Sequence, residues 1–270
     1  MGGAWVWLEY MTFFAAHGIP CYAVSLRGHG VSYHPPFLRM VYGTTKRMLA
    51  DDVLAALRWA QKREDGRQVV LVGHSSGGLS QFVLSERSAG VYISWAALDP
   101  WFSFRMIFHL WHPNSPLSHP GLTRQAFFSN DQTDAYVEAF QARINPYESF
   151  LWALGMMRPF VSAQNIINQI TSWGRGQSIL VMVGEADKLT TPSILGNLAK
   201  MYRQAFSTQV RQKRLDAEDT EVIPVPEEGE QDTTGHGVQF RVVPNAGHHL
   251  QNDVTWEVGA RKLLAFYRQL

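Results

Sequence analysis

The sequence has little cysteine and little charge of either sign. Cys21 is the single cysteine among 270 residues, which excludes an internal disulfide and any zinc or redox site built from paired cysteines. Lys and Arg number 24 against 23 Asp and Glu, so no overall field favours binding to nucleic acid or to an anionic membrane. Uncharged apolar stretches all fall short of the roughly 20 residues needed to span a bilayer, and no membrane span is expected.

Targeting signals are also lacking at the start of the sequence. Residues 1–18 have no basic n-region, contain Glu9 and show no small-residue cleavage pattern. No N-x-S/T glycosylation site occurs. Together with the unpaired Cys21, these absences predict a cytoplasmic protein. Hydrophobic residues make up 46% of the chain, an ordinary globular share that excludes wholesale disorder.

Apolar periodicity predicts alternating helices and strands over most of the chain. Helices are expected over residues 5–17, 44–63, 193–210 and 252–270, and another is expected after Gly78. Strands are expected over 21–26, 68–73 and 91–100, and at the start of 178–187 and 237–249. This order predicts the α/β class, with a doubly wound, mostly parallel sheet and flanking helices.

The alternation is interrupted twice, which predicts a core with two insertions. Residues 101–175 are rich in aromatic residues and methionine, and their pattern indicates a helical cap. The core is then formed by 1–100 and 176–270. Within it, 211–236 is expected to be a flexible acidic insertion, because the segment from Arg211 to Asp232 contains three basic residues and eight acidic ones.

Residues 73–77, with the sequence GHSSG, match the pattern G-x-S-x-G. The bare pattern is also compatible with an ordinary Gly/Ser turn. Here a valine-rich predicted strand precedes it and a predicted helix follows it, the setting of a nucleophile elbow. We therefore predict that Ser75 is a nucleophile and that the main-chain N–H of Ser76 stabilises an oxyanion.

A serine nucleophile needs a histidine base and a carboxylate that orients it. Asp187 and His248 follow Ser75 in the expected order, each just beyond a predicted strand, where α/β sheets place their sites. Asp99 also follows a predicted strand and is the alternative carboxylate. The neighbouring histidines, His74 and His249, are assigned to packing, as is His29. No metal-ligand pattern, dinucleotide fingerprint or Walker A motif occurs, so no metal or cofactor is predicted.

These segments together resemble the α/β-hydrolase superfamily over nearly the whole length. The resemblance rests on RGHGVS, GHSSGG, GEADKLTTP and AGHH, and on the helical insertion between them. It implies a Ser75–His248–Asp187 triad beneath a cap and a small-molecule substrate. Aromatic and methionine side chains of the cap suggest an apolar pocket: Trp101, Phe102, Phe104, Phe108, Trp111, Trp152, Met156 and Met157.

One family feature has no counterpart here. Residues 3–7 resemble the segment that follows the family's His-Gly oxyanion loop, and Met1 comes after that point. The resemblance thus implies that the loop and the strand before it are missing, which would leave buried backbone groups unpaired. Three expectations remain open: an incomplete chain, closure of the strands 21–26 and 68–73 onto each other, or partial replacement by residues 1–4.

Three functions are compatible with this sequence. The first is a serine hydrolase that cleaves a carboxylic ester or related acyl substrate, expected to be lipophilic. The second keeps the triad and changes the chemistry, as in hydroxynitrile lyases, perhydrolases and carbon–carbon hydrolases. The third is a truncated, non-catalytic binding protein. Epoxide hydrolases and haloalkane dehalogenases are disfavoured, because they have Asp where this chain has Ser75.

Overall fold

The computed structural model describes most of the chain, with gaps. The described residues are 2–78, 97–110, 112, 115–155, 161–171, 173, 176–226 and 228–270. They contain ten α-helices, numbered here in chain order: α1 (Leu8–Ala16), α2 (Phe37–Gly43), α3 (Lys46–Arg63), α4 (Phe102–Phe108), α5 (Pro120–Phe127), α6 (Asp134–Arg143), α7 (Phe150–Gly155), α8 (Ala163–Gln169), α9 (Pro192–Arg211) and α10 (Trp256–Tyr267). Short 3-10 turns also occur: Ala4–Trp7, Ser75–Gly77 and Ser115–Leu117.

The described residues form one mixed sheet of four strands. Its strands are β1 (Ile179–Gly184), β2 (Ile223–Pro224), β3 (Thr233–Gly235) and β4 (Val238–Val243), in the order β1-β4-β3-β2. Strands β1 and β4 are parallel, whereas β4 with β3 and β3 with β2 are antiparallel. Because β1 and β4 run in register to Gly184 and Val243, the loops that follow them leave the same edge of the sheet.

The α/β class is confirmed, and the four predicted helices that fall on described residues occur close to their expected positions. Helix α3 matches the prediction over 44–63, and the Thr45 hydroxyl caps it by accepting the Met48 N–H at 3.3 Å. Helix α9 matches the prediction over 193–210 and packs on both β1 and β4. The described part of residues 101–175 is helical, with α4 to α8 in order.

Two of the predicted strands are not strands in the structure. Residues 21–26 and 68–73 are not paired into the described sheet, and Leu71 is 67% exposed. An apolar run becomes a strand only where a neighbouring backbone pairs with it, and composition alone does not supply that neighbour. The helix expected after Gly78 and the first six residues of the predicted strand 91–100 lie outside the described residues.

Part of the acidic segment 211–236 joins the sheet through β2 and β3. Asp232 is fully buried and forms an ion pair with Lys262 of α10. Its Oδ1 also accepts the main-chain N–H of Val242 at 2.8 Å. Arg241 lies alongside, with its Nε 2.8 Å from the Glu228 carboxylate and 3.9 Å from that of Asp232. Buried charges of this kind are tolerated because each is paired and hydrogen-bonded.

Two apolar clusters hold the described sheet between helices. On one face, Phe206 of α9 and Ile167 of α8 are completely buried against β1 and β4. On the other, Tyr10 and Phe14 of α1 pack with Leu263 and its neighbours in α10. The sheet is thus covered on both faces, as expected for the α/β class.

Candidate active site

The backbone turns sharply at Ser75, where the sequence predicts a nucleophile elbow. Ser75 has a φ of 54°, in the left-handed region that is costly for a residue with a side chain. The turn also brings two backbone segments close together, because a Cβ at Gly73 would lie 2.7 Å from the Gly77 carbonyl oxygen. Position 73 therefore requires glycine. A Cβ at Gly77 would meet nothing within 4 Å, so that glycine is not needed for space.

His248 lies between Ser75 and Asp187 and contacts both. Its Nε2 is 2.8 Å from Ser75 Oγ, and its Nδ1 is 2.9 Å from Asp187 Oδ2. Asp187 follows β1 and His248 follows β4, so the parallel pairing of these strands brings both loops to one edge. With Nδ1–H donating to the carboxylate, Nε2 is free to accept the proton of the serine hydroxyl.

The Asp187 carboxylate is buried and held in place by its own loop. Its Oδ1 accepts the main-chain N–H groups of Leu189 and Thr190, both at 2.8 Å. Its Oδ2 accepts the Thr190 hydroxyl at 2.6 Å. Burial alone would raise the pKa of Asp187, but the charge and hydrogen bond of His248, with those from Thr190, lower it to about 2. The carboxylate is therefore ionised at neutral pH.

Thr190 is a site residue that the sequence patterns did not single out. Its Oγ1 lies 3.2 Å from His248 Nδ1 as well as 2.6 Å from Asp187 Oδ2. An aspartate that binds the backbone two and three residues ahead is a common local turn. The spacing of Asp187 and Thr190 in GEADKLTTP is thus the signal that could have identified it.

The loop that carries His248 is held by a second buried carboxylate, which the sequence also did not reveal. Asp253 Oδ2 accepts the N–H groups of Gly247 at 2.6 Å and Ser129 at 2.7 Å. Its Oδ1 accepts the Ser129 hydroxyl and the Val254 N–H, both at 2.8 Å. Asp253 is 1% exposed, and it fixes the residue before His248 to the segment that follows α5.

Asp99, the alternative carboxylate, does not contact His248. It is buried and forms an ion pair with Arg105 of α4. His29, assigned to packing, has its Nε2 2.6 Å from Glu148 and its Nδ1 2.9 Å from the Arg27 carbonyl oxygen. The hydrogen bonds and ion pairs of Asp99 and His29 therefore do not involve Ser75 or His248.

Ser76, predicted to supply the oxyanion donor, follows Ser75 in the same 3-10 turn and is half-buried. The Ala4 main-chain N–H belongs to residues 3–7, which resemble the segment that follows the family's His-Gly oxyanion loop. It donates to Ser25 Oγ at 2.8 Å, and is therefore already engaged. The Ser76 amide therefore stays the predicted oxyanion donor.

Aromatic rings surround the histidine, but they are not the ones that the sequence suggested. Phe127 stacks on His248 with ring centroids 5.9 Å apart and planes at 25°. Of the residues predicted to line a pocket, Trp101, Phe104 and Phe108 are exposed by more than half. Three others lie outside the described residues: Trp111, Met156 and Met157.

Neither a metal site nor a membrane span emerges from the described part of the chain. No group of three or more His, Cys, Asp or Glu side chains there could hold a metal ion. Likewise, none of the helices described is both long and apolar enough to cross a membrane.

Comparison with solved structures shows the same fold. An esterase from Thermogutta terrifontis, solved with malate bound, matches with a TM-score of 0.60 at 17% identity. The match covers 99% of this chain and 86% of the esterase. NosK from Streptomyces actuosus matches at 17% identity with a TM-score of 0.40, covering 99% of this chain and 95% of that one. At this identity the likeness to the esterase establishes the fold only.

Comparison by sequence gives a family. A search of curated proteins returns no match. The family model described as "Alpha/beta hydrolase family" matches residues 2–257. That match spans nearly the whole chain and includes Ser75, Asp187 and His248. The chain therefore belongs to the alpha/beta hydrolase family.

Proposed function

We propose that the protein is a serine hydrolase that cleaves a carboxylic ester or a related acyl substrate. The observation that carries this proposal is the hydrogen-bonded chain from Ser75 Oγ through His248 to Asp187, with contacts of 2.8 and 2.9 Å. Such a chain activates a hydroxyl that is otherwise a poor nucleophile at neutral pH. Family membership and the strained backbone of Ser75 support it.

The reaction would proceed in two halves. Ser75 Oγ attacks the acyl carbon while its proton passes to His248 Nε2, and the Ser76 N–H stabilises the oxyanion that forms. His248 then protonates the departing alcohol, which leaves an acyl group on Ser75. In the second half a water molecule attacks the acyl-enzyme, again with His248 as base, and the acid product departs. Asp187 remains ionised and orients the imidazole throughout.

A lipophilic acyl group is part of the proposal. The ring of Phe127 stacks on that of His248 with the planes inclined at 25°, so one flank of the base is apolar. A series of p-nitrophenyl esters with acyl chains of two to twelve carbons measures this directly. We expect kcat/KM to rise with chain length over the first members, and a maximum at the acetate would contradict the lipophilic part alone.

The decisive test is labelling with a fluorophosphonate, which reacts with activated serines. We expect the parent protein to be labelled and Ser75→Ala not to be, with mass spectrometry placing the adduct on Ser75 rather than Ser76. Ser207→Ala is the matched control, because Ser207 lies on α9 and bonds to Asp219 at 3.0 Å. A folded parent protein that is not labelled would overturn the proposed function.

A further inference from the structure

Two successive residues of the elbow bind the same histidine at opposite ends. His74 Nε2–H donates to the main-chain carbonyl oxygen of His248 at 2.7 Å. The next residue, Ser75, contacts the ring of that histidine, with its Oγ 2.8 Å from Nε2. The elbow thus holds the backbone of His248 with one side chain and meets its imidazole with the other.

Both contacts are hydrogen bonds that join the elbow, residues 73–78, to the loop that carries His248, residues 244–250. Among the described residues 73–78 and 244–250, no other pair joins the two segments. The remaining contacts of the loop run elsewhere: the His249 N–H donates to the Phe127 carbonyl oxygen at 2.8 Å, and Gly247 binds Asp253. Those bonds fix the loop to the segment after α5 and do not involve the elbow.

The surroundings of His74 suit a fixed neutral imidazole. Its ring lies 4.5 Å from that of His249, 5.0 Å from that of His248 and 6.3 Å from that of Trp7. Burial, and next the charge of His248, lower the pKa of His74 to about 3. A neutral imidazole has one N–H, and the carbonyl partner requires that proton on Nε2. His74 is therefore a single, defined donor across the neutral pH range.

We propose that His74 is a positioning residue for the reaction, and that its bond to the His248 carbonyl oxygen sets the distance between Ser75 Oγ and His248 Nε2. This inference rests on the proposed function, since it concerns the same nucleophile and base. Proton transfer requires the two atoms within hydrogen-bond reach, and a displacement of 1 Å can cost about 10²-fold in rate. His74 is the residue next to the nucleophile, and its hydrogen bond is made to the backbone of the base itself. A change in that bond would therefore change the distance between Ser75 Oγ and His248 Nε2.

Two substitutions separate the hydrogen bond from the packing of the ring. His74→Phe keeps an aromatic ring beside Trp7 and His249 but has no donor. His74→Gln has no ring but places an amide N–H near the position of the imidazole Nε2–H. We expect the rate constant for fluorophosphonate labelling and the kcat for ester hydrolysis to fall about 10- to 100-fold in His74→Phe. KM should stay within about twofold, and His74→Gln should recover to within about threefold of the parent protein.

The reverse order, with His74→Phe active and His74→Gln slow, would overturn the inference in favour of packing. Equal rates in all three proteins would also overturn it. Thermal unfolding checks that each variant folds, and His74→Leu replaces His74→Phe if the larger ring prevents folding.

A readout that needs no substrate distinguishes this inference from the proposed function. The His248 Nδ1–H that bonds to Asp187 should give a far-downfield proton resonance in the NMR spectrum. We expect that resonance to shift or broaden in His74→Phe and to be restored in His74→Gln. An unchanged resonance in His74→Phe would overturn the inference even if the parent protein is never labelled, whereas failure of labelling alone contradicts only the proposed hydrolase activity.

Discussion

The Asp253 carboxylate accepts the main-chain N–H of Gly247 at 2.6 Å, and so fixes the residue that immediately precedes His248. The same carboxylate binds both the N–H and the hydroxyl of Ser129. One buried side chain thus joins the histidine loop to a segment more than 100 residues earlier.

Asp253→Asn should destabilise the protein by about 2–4 kcal/mol. All four groups that bind Asp253 are donors, and an asparagine amide would direct its own N–H groups at some of them. The measurement is urea unfolding at neutral pH, with Glu257→Gln as control. Glu257 is an exposed acid on α10 that pairs with Arg261 at 2.5 Å, so its loss should cost less than about 1 kcal/mol. Equal costs for the two variants would contradict this prediction.

Asp187→Asn should lower kcat for ester hydrolysis by about 10³- to 10⁴-fold, because the amide no longer holds His248 in the tautomer that accepts the serine proton. Asp99→Asn is the matched comparison, since Asp99 is also buried but binds Arg105. We expect Asp99→Asn to retain at least a tenth of the parent activity. Steady-state kinetics on both variants decide between the two carboxylates, and a greater loss at Asp99 would reverse the assignment.

Gly73→Ala should disrupt the elbow, whereas Gly77→Ala should be far better tolerated. The Cβ added at position 73 would lie 2.7 Å from a carbonyl oxygen and 2.9 Å from the Gly78 Cα, and neither backbone atom can move freely. The Cβ added at position 77 meets nothing within 4 Å. We expect labelling of Ser75 to fall at least tenfold more in the first variant than in the second. Similar labelling in both would show that the turn is not closely packed.

The stability of the protein should fall as the pH is lowered from 7 to 5, partly because of His249. Burial, and then the charges of His74 and His248, hold the pKa of His249 well below 6.5. At pH values between the lowered pKa of His249 in the folded protein and its ordinary pKa of 6.5, His249 binds a proton in the unfolded chain but not in the folded protein. The free energy of unfolding therefore rises with pH in this range. His249→Gln removes this contribution and should reduce the loss of stability between pH 7 and pH 5 by about 2 kcal/mol. Urea unfolding at both pH values measures the difference, and an equal pH dependence in both proteins would contradict it.

The sequence predicted the three residues of the hydrogen-bonded chain because each has a local marker. Ser75 lies in a glycine pattern between predicted elements, and Asp187 and His248 each follow a short apolar run. Thr190 and Asp253 are marked less clearly in the sequence. Their place in the site depends on hydrogen bonds to other segments, which form only when the chain folds. Asp253 acts by binding Ser129, and no sequence period connects two residues that far apart.

The predicted strands show the same limit. The runs 178–187 and 237–249 contain β1 and β4, which pair with each other. The equally apolar runs 21–26 and 68–73 are not paired into the described sheet. A strand depends on a partner backbone, which an apolar run does not identify.

The packing of α1 on α10 has a consequence for synthesis of the chain. Tyr10 and Phe14 are each 4% exposed, and they are covered by residues such as Leu263 and Leu264. Translation adds roughly 5–20 residues per second, so α10 is synthesised on the order of ten seconds or more after α1. The apolar face of α1 is not covered by α10 until then. During that time a nascent chain on the ribosome carries an uncovered hydrophobic helix, which is a natural target for chaperones.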